Sequence, residues 1–166
     1  MAINRSQRGF ALLIAVIFMS VMLTFGLALA SLGYKQQVLA SSALGSQYAF
    51  YAADSALECA LFEDQKNDLF NYAAHTADPN TPSNIISCDG SAATQKNYSY
   101  SADNLSVSER VSLDDGKHCA DITVYKYATG KTYIFSQGYD TICSIIDNPP
   151  PLLTARFSSR AMQIAY

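Results

Sequence analysis

The sequence predicts an α+β protein in which one long N-terminal helix packs against an antiparallel sheet. Three observations carry that prediction. Residues 10–34 hold no charged side chain, and apolar and small residues continue to about Gln65 without a proline. From Ala120 onward the apolar pattern changes to a period of two, which is a strand signal. The chain thus divides into a short basic leader (1–9), a transmembrane half-helix (10–34), an extramembrane half-helix (35–65) and a globular head with antiparallel strands (66–166).

Composition supports the division. The 166 residues are 49% hydrophobic and only 15% charged, where an ordinary soluble domain has about 25% charged residues. The deficit is local, since no Asp or Glu precedes Asp54. A disordered chain needs the opposite balance. A net charge of −3 without a basic cluster excludes a nucleic-acid binder of the usual basic kind.

The first element is the run FALLIAVIFMSVMLTFGLALASLGY, Phe10 to Tyr34. About 20 apolar residues, rising about 1.5 Å each, cross a bilayer core as a helix. A helix is also the form in which a lone segment satisfies its own backbone in lipid. Arg5 and Arg8, with no acid beside them, place the N-terminal end in the cytoplasm and the chain after Lys35 outside it. A removed secretory signal has an apolar core of about 7–15 residues, shorter than this run, although LALASLG does supply small residues for a cut.

The second element is KQQVLASSALGSQYAFYAADSALECALFEDQ. Val38, Leu39, Leu44, Tyr48, Tyr51, Ala52, Leu57, Leu61 and Phe62 are spaced to form one stripe, which is expected to face a core. Gly26, Gly33 and Gly45 are expected weak points. Between Tyr34 and Phe62 only Lys35, Asp54 and Glu58 are charged. A solvated helix normally carries a charged outer face, so this one is expected to be covered by its own sheet and by neighbouring copies. Complete wrapping by its own domain is the alternative.

Residues 66–100 read as loop-rich, through HTADPNTPSN and CDGSAATQKN, with short strands starting at Ile85–Cys88 and Tyr98–Ala102. ADITVYKY, the turn ATGK and TYIFSQGY form a hairpin. TARFSSRAMQIAY follows Pro149–Pro150–Pro151 as a last strand, with Met162, Ile164 and Tyr166 on the helix side. Most of the 11 tyrosines and 8 phenylalanines are assigned to the core.

The four cysteines, Cys59, Cys88, Cys119 and Cys143, show no zinc spacing with His75 or His118. Outside the cytoplasm they read as two disulfides with three possible connectivities, free buried thiols being the alternative. A hairpin centred on Thr129–Lys131 sets Cys119 opposite Thr141, near Cys143. That favours Cys119–Cys143 and leaves Cys59–Cys88. No catalytic motif, metal ligand set or cofactor loop is recognised, so no enzyme, metal or cofactor is expected. Asp114–Asp115–Gly116 contains clustered carboxylates of the kind that hold calcium, but a type I turn explains DDG equally well.

The junction supplies the functional expectation. MAINRSQRG is short and basic and ends in Gly9, directly before Phe10 and the apolar run. QRGFALLIAVIF resembles the class III signal of type IV prepilins, and is most similar to PilX-type minor pilins and type II secretion pseudopilins. YAADSALECALFED, CADITVYK, SQGYDTIC and RAMQIAY are similar to minor pilin-like proteins. The resemblance implies a pilin-like head and cleavage by a prepilin peptidase between Gly9 and Phe10, with methylation of the new amine. It implies anchoring in inner-membrane lipid with the head outside the cytoplasm, and recruitment by an inner-membrane assembly platform. Partners would be other pilin or pseudopilin subunits, joined through the helix into a cell-surface or periplasmic filament. Cleavage removes Arg5 and Arg8, leaving 9 basic residues of the 11 against 14 acidic, a net charge of −5. In the resembled family the fifth mature residue is usually Glu; here it is Ile14, which places the chain among minor subunits. A single-span anchored binding or adhesion domain that never polymerises is the competing expectation.

Overall fold

The computed structural model describes residues 5–73, 85–148 and 157–166, with side chains from residue 10 onward. In chain order the elements are α1 (Arg5–Asn67), β1 (Ser87–Cys88), β2 (Ser91–Ala92), β3 (Thr94–Tyr100), β4 (Asn104–Leu113), β5 (His118–Tyr127), β6 (Thr132–Tyr139), α2 (Cys143–Asp147) and β7 (Ser159–Ala165). The arrangement is α+β: one long apolar helix and a five-stranded antiparallel sheet in the order β3-β4-β5-β6-β7. The HTADPNTPSN cluster (residues 75–84) and Pro149–Pro150–Pro151 lie outside the described residues.

The chain forms two compact units, Met1–Ser42 and Ala43–Tyr166. The first is helix throughout its described length, and every described side chain from Phe10 to Ser42 is exposed. α1 continues without a break through Gly26, Gly33 and Gly45, so none of them interrupts the helix. Gly45 instead leaves room for the carboxylate of Asp140, which a Cβ there would meet.

In the second unit the face of α1 laid on the sheet is Ala49, Ala52, Ala53, Ala56, Leu57 and Ala60. Of the stripe expected from sequence, only Ala52 and Leu57 are buried, while Leu44, Tyr48, Tyr51 and Phe62 are exposed. The reason is distance. Alanines on the helix let its backbone come close to the strands, and β6 answers with Gly138. A Cβ built at Gly138 would run into the backbone of Ala49 and Ala53, with the carbonyl carbon of Ala52 at 2.9 Å. Large rings have no room in such a seam. Among the described aromatics the fully buried ring is Phe70, with Tyr139 nearly so, which corrects the assignment of most rings to the core.

NLSVSERVSL is a strand that sequence reading passed over. As β4 it alternates buried and half-buried residues throughout and pairs with β3 and β5. Leu105, Val107, Val111 and Leu113 face α1, and Glu109 takes the middle place in that row. The region read as loop-rich likewise contains β1, β2 and β3. The β4–β5 turn has φ of 52° at both Asp114 and Asp115. The loop between the paired residues Leu113 and His118 is four residues long, and Gly116 also has a positive φ of 87°, so this left-handed run is neither the expected type I turn nor a two-residue hairpin turn.

The far end of the seam is polar. Asp64, buried on α1, accepts from Lys126 Nζ of β5 at 2.5 Å and from Tyr166 Oη at 2.5 Å. One carboxylate therefore ties the helix end, a central strand and the chain end together. Burial and the bond to Asp64 push the Tyr166 phenol above the ordinary tyrosine range.

Candidate assembly helix and head surfaces

The helix of the first unit is long and apolar enough to cross a membrane. From residue 10 onward its serine and threonine hydroxyls are self-satisfied. Ser20, Thr24, Ser31, Ser41 and Ser42 each donate to the carbonyl three residues earlier, at 2.8–2.9 Å. Such back-bonded hydroxyls need no partner from lipid or from a neighbouring helix. Phe10, 69% exposed, stands at the start of the apolar surface, with Ile14 on the same helix. The Gly9–Phe10 bond lies within the first turns of α1. Ala28 and Ser31 lie on one side of the helix and Ala30 and Gly33 on another, all small and exposed, with nothing within 4 Å of a Cβ built at Gly33. Small residues at such spacings let helices approach closely.

The cysteines form two bridges, Cys59–Cys88 and Cys119–Cys143, with Cα separations of 6.0 and 4.9 Å. The register sets Cys119 opposite Tyr139, two residues short of Thr141 as the hairpin centre implied. Cys143 reaches Cys119 from the first residue of α2. Cys59–Cys88 fastens α1 to the β1–β2 segment, whose Asp89 also accepts from the Asp114 amide at 2.8 Å.

The sheet face turned away from α1 is split between two environments. At one end, under α2, Arg110 makes a bidentate pair with Asp121 at 2.6 and 2.7 Å. Its remaining nitrogen reaches Asp147 at 2.6 Å, which Lys96 also holds at 2.5 Å. The bond to Asp121 raises the Arg110 guanidinium further above its ordinary value. Tyr139 donates to Asp121, and burial together with that carboxylate pushes its phenol up to about 12. The Lys96 bond, aided by Arg110, holds Asp147 below the usual carboxylate range. At the other end stand Tyr125, Tyr127, Tyr133 and Phe135, around a groove of about 620 Å³.

His118 stacks on Tyr48 with ring centroids 5.1 Å apart, and its Nδ1 lies 3.4 Å from Asp114. Among the described residues no group of three or more His, Cys, Asp or Glu side chains is placed to hold a metal ion. Sequence reading missed the Arg110 network because its strand was missed. The signal was present in the alternation of Leu105, Val107, Val111 and Leu113, interrupted only by Glu109.

No protein-family model, curated protein or solved structure matches this chain.

Proposed function

We propose that the chain is a minor pilin or pseudopilin-like subunit. A prepilin peptidase removes residues 1–9, and the helix from Phe10 holds the subunit in the inner membrane. Assembly then trades lipid around that helix for the helices of other subunits. The observation that supports this best is the form of α1. Its exposed apolar half continues without interruption into the alanine-faced spine of an α+β head. Exposed Tyr48, Phe50, Tyr51 and Phe62 extend apolar surface onto the head half of the helix, where neighbouring subunits would cover it. Two disulfides fit a head outside the cytoplasm. Arg5 and Arg8 favour the same orientation.

The peptidase step asks little of the fold. The bond to be cut lies in the terminal turns of a helix, which fray most readily. The intact mass and N-terminal residue of membrane-extracted protein test the reading. A chain beginning at Phe10, with or without an added methyl on its amine, is expected. A chain beginning at Met1 would leave an anchored head that does not polymerise, and one beginning after Ala30 would mean the helix is a removed signal.

A further inference from the structure

We infer that the aromatic groove on the outer sheet face binds a carboxylated saccharide. This rests on the head alone and does not require processing or polymerisation. Tyr125 of β5 lies directly opposite Tyr133 of β6 in the strand register, and the same face carries Tyr127 and Phe135. The rings pack diagonally across the two strands. Tyr125 meets Phe135 edge-on at 5.9 Å and 88°, and Tyr127 meets Tyr133 at 5.8 Å and 77°. Each ring is thus held by a neighbour, which fixes its orientation before any ligand arrives. Tyr127 remains 36% exposed and Phe135 39%.

The chemistry of the rim selects the occupant. Thr129 and Lys131 complete the lining, and no carboxylate contributes to it. Among the described residues Lys131, like Lys35 and Lys66, has no ion-pair partner, whereas Lys96, Lys117 and Lys126 are each paired with a carboxylate. In a chain of net charge −3, a groove whose one charge is an unpaired ammonium is complementary to an anion. Rigid aromatic faces suit the C–H faces of a pyranose ring, tyrosine and threonine hydroxyls suit its hydroxyl groups, and Lys131 suits an acidic substituent. The volume is within the range of small-ligand sites, about 300–1,000 Å³. Single-stranded nucleic acid shares the need for rings and positive charge. It requires a basic track along successive phosphates, however, and a single lysine is not one.

The test uses the full chain in lipid nanodiscs, because glycoside detergents would compete. Polygalacturonate is titrated by calorimetry beside neutral dextran and an oligothymidylate. Saturable binding to polygalacturonate is expected, at least tenfold tighter than to dextran. Lys131→Gln, an exposed change, is expected to erase that preference. Tyr127→Ala is expected to weaken polygalacturonate binding at least tenfold, with far-ultraviolet circular dichroism and an unchanged thermal midpoint confirming that the sheet is retained. Absence of binding, equal binding to dextran, preference for the oligothymidylate, or indifference to Lys131→Gln would each overturn the assignment.

Discussion

Glu109 is a carboxyl group in the middle of an apolar row. It is almost fully buried between Val107 and Val111, and Oε2 accepts the Ile86 amide at 3.0 Å while Oε1 has no hydrogen-bond partner among the described residues. Burial pushes its pKa upward, against the opposing pull of the Ile86 bond. The folded state therefore keeps this proton at pH values where the unfolded chain has released it. The resulting stabilisation is fully present below the unfolded value of about 4.3 and is lost as pH rises through the raised folded value. Asp147 has the opposite sign: its lowered pKa contributes stability above the unfolded value, lost as pH falls through the folded one. The two groups thus act on different sides of the ordinary carboxylate range. Glu109→Gln removes the loss on the upper side. Denaturant unfolding at pH 8 is expected to show this variant more stable than the parent, because a buried amide carries no charge that must be neutralised there. Near pH 4 the two should converge, and parallel profiles from pH 4 to 8 would show that the buried carboxyl is not responsible.

At the scale of elements, the helix–sheet seam depends on small residues on both sides. Gly138 is the point of closest approach, where the obstacles to a Cβ are the backbone atoms of Ala49, Ala52 and Ala53, which cannot swing away as a side chain would. Gly138→Val is expected to force α1 off β6 and cost 3 kcal/mol or roughly that, at the upper end for overpacking, read as a lowered midpoint in thermal unfolding. A midpoint unchanged from the parent would mean that the seam is looser than the geometry indicates. The same seam explains what sequence could convey. The α+β class, the β5–β6 hairpin and the last strand were legible because period-two alternation and turn residues are local signals. The buried helix face was not, because alanine is weakly apolar and Tyr48, Tyr51 and Phe62 carry a stronger pattern on the exposed side. β4 was hidden by Glu109 and Arg110, two charges in mid-strand. One is buried against α1, and the other is neutralised by Asp121 of β5, a partner that only the fold brings near.

At the scale of the molecule, the two units differ in what they need from their surroundings. The described buried residues all fall between Ala49 and Tyr139. Residues 10–42 contribute none, so their apolar surface finds no cover among the described residues. Lys35 is the one charged residue between Phe10 and Asp54, and it is exposed. Trypsin acting on detergent-solubilised protein is therefore expected to cut after Lys35 early. The fragment from Gln36 keeps both disulfides, the Asp64–Lys126–Tyr166 junction and the whole helix–sheet seam. It should stay soluble once detergent is removed, with a thermal midpoint within a few degrees of the parent chain, because no buried side chain has been lost. The companion helix should remain with the detergent or lipid. A head that unfolds or aggregates after this cut would show that the apolar helix stabilises the fold. The separation of an apolar helix from a self-sufficient head would then have to be abandoned.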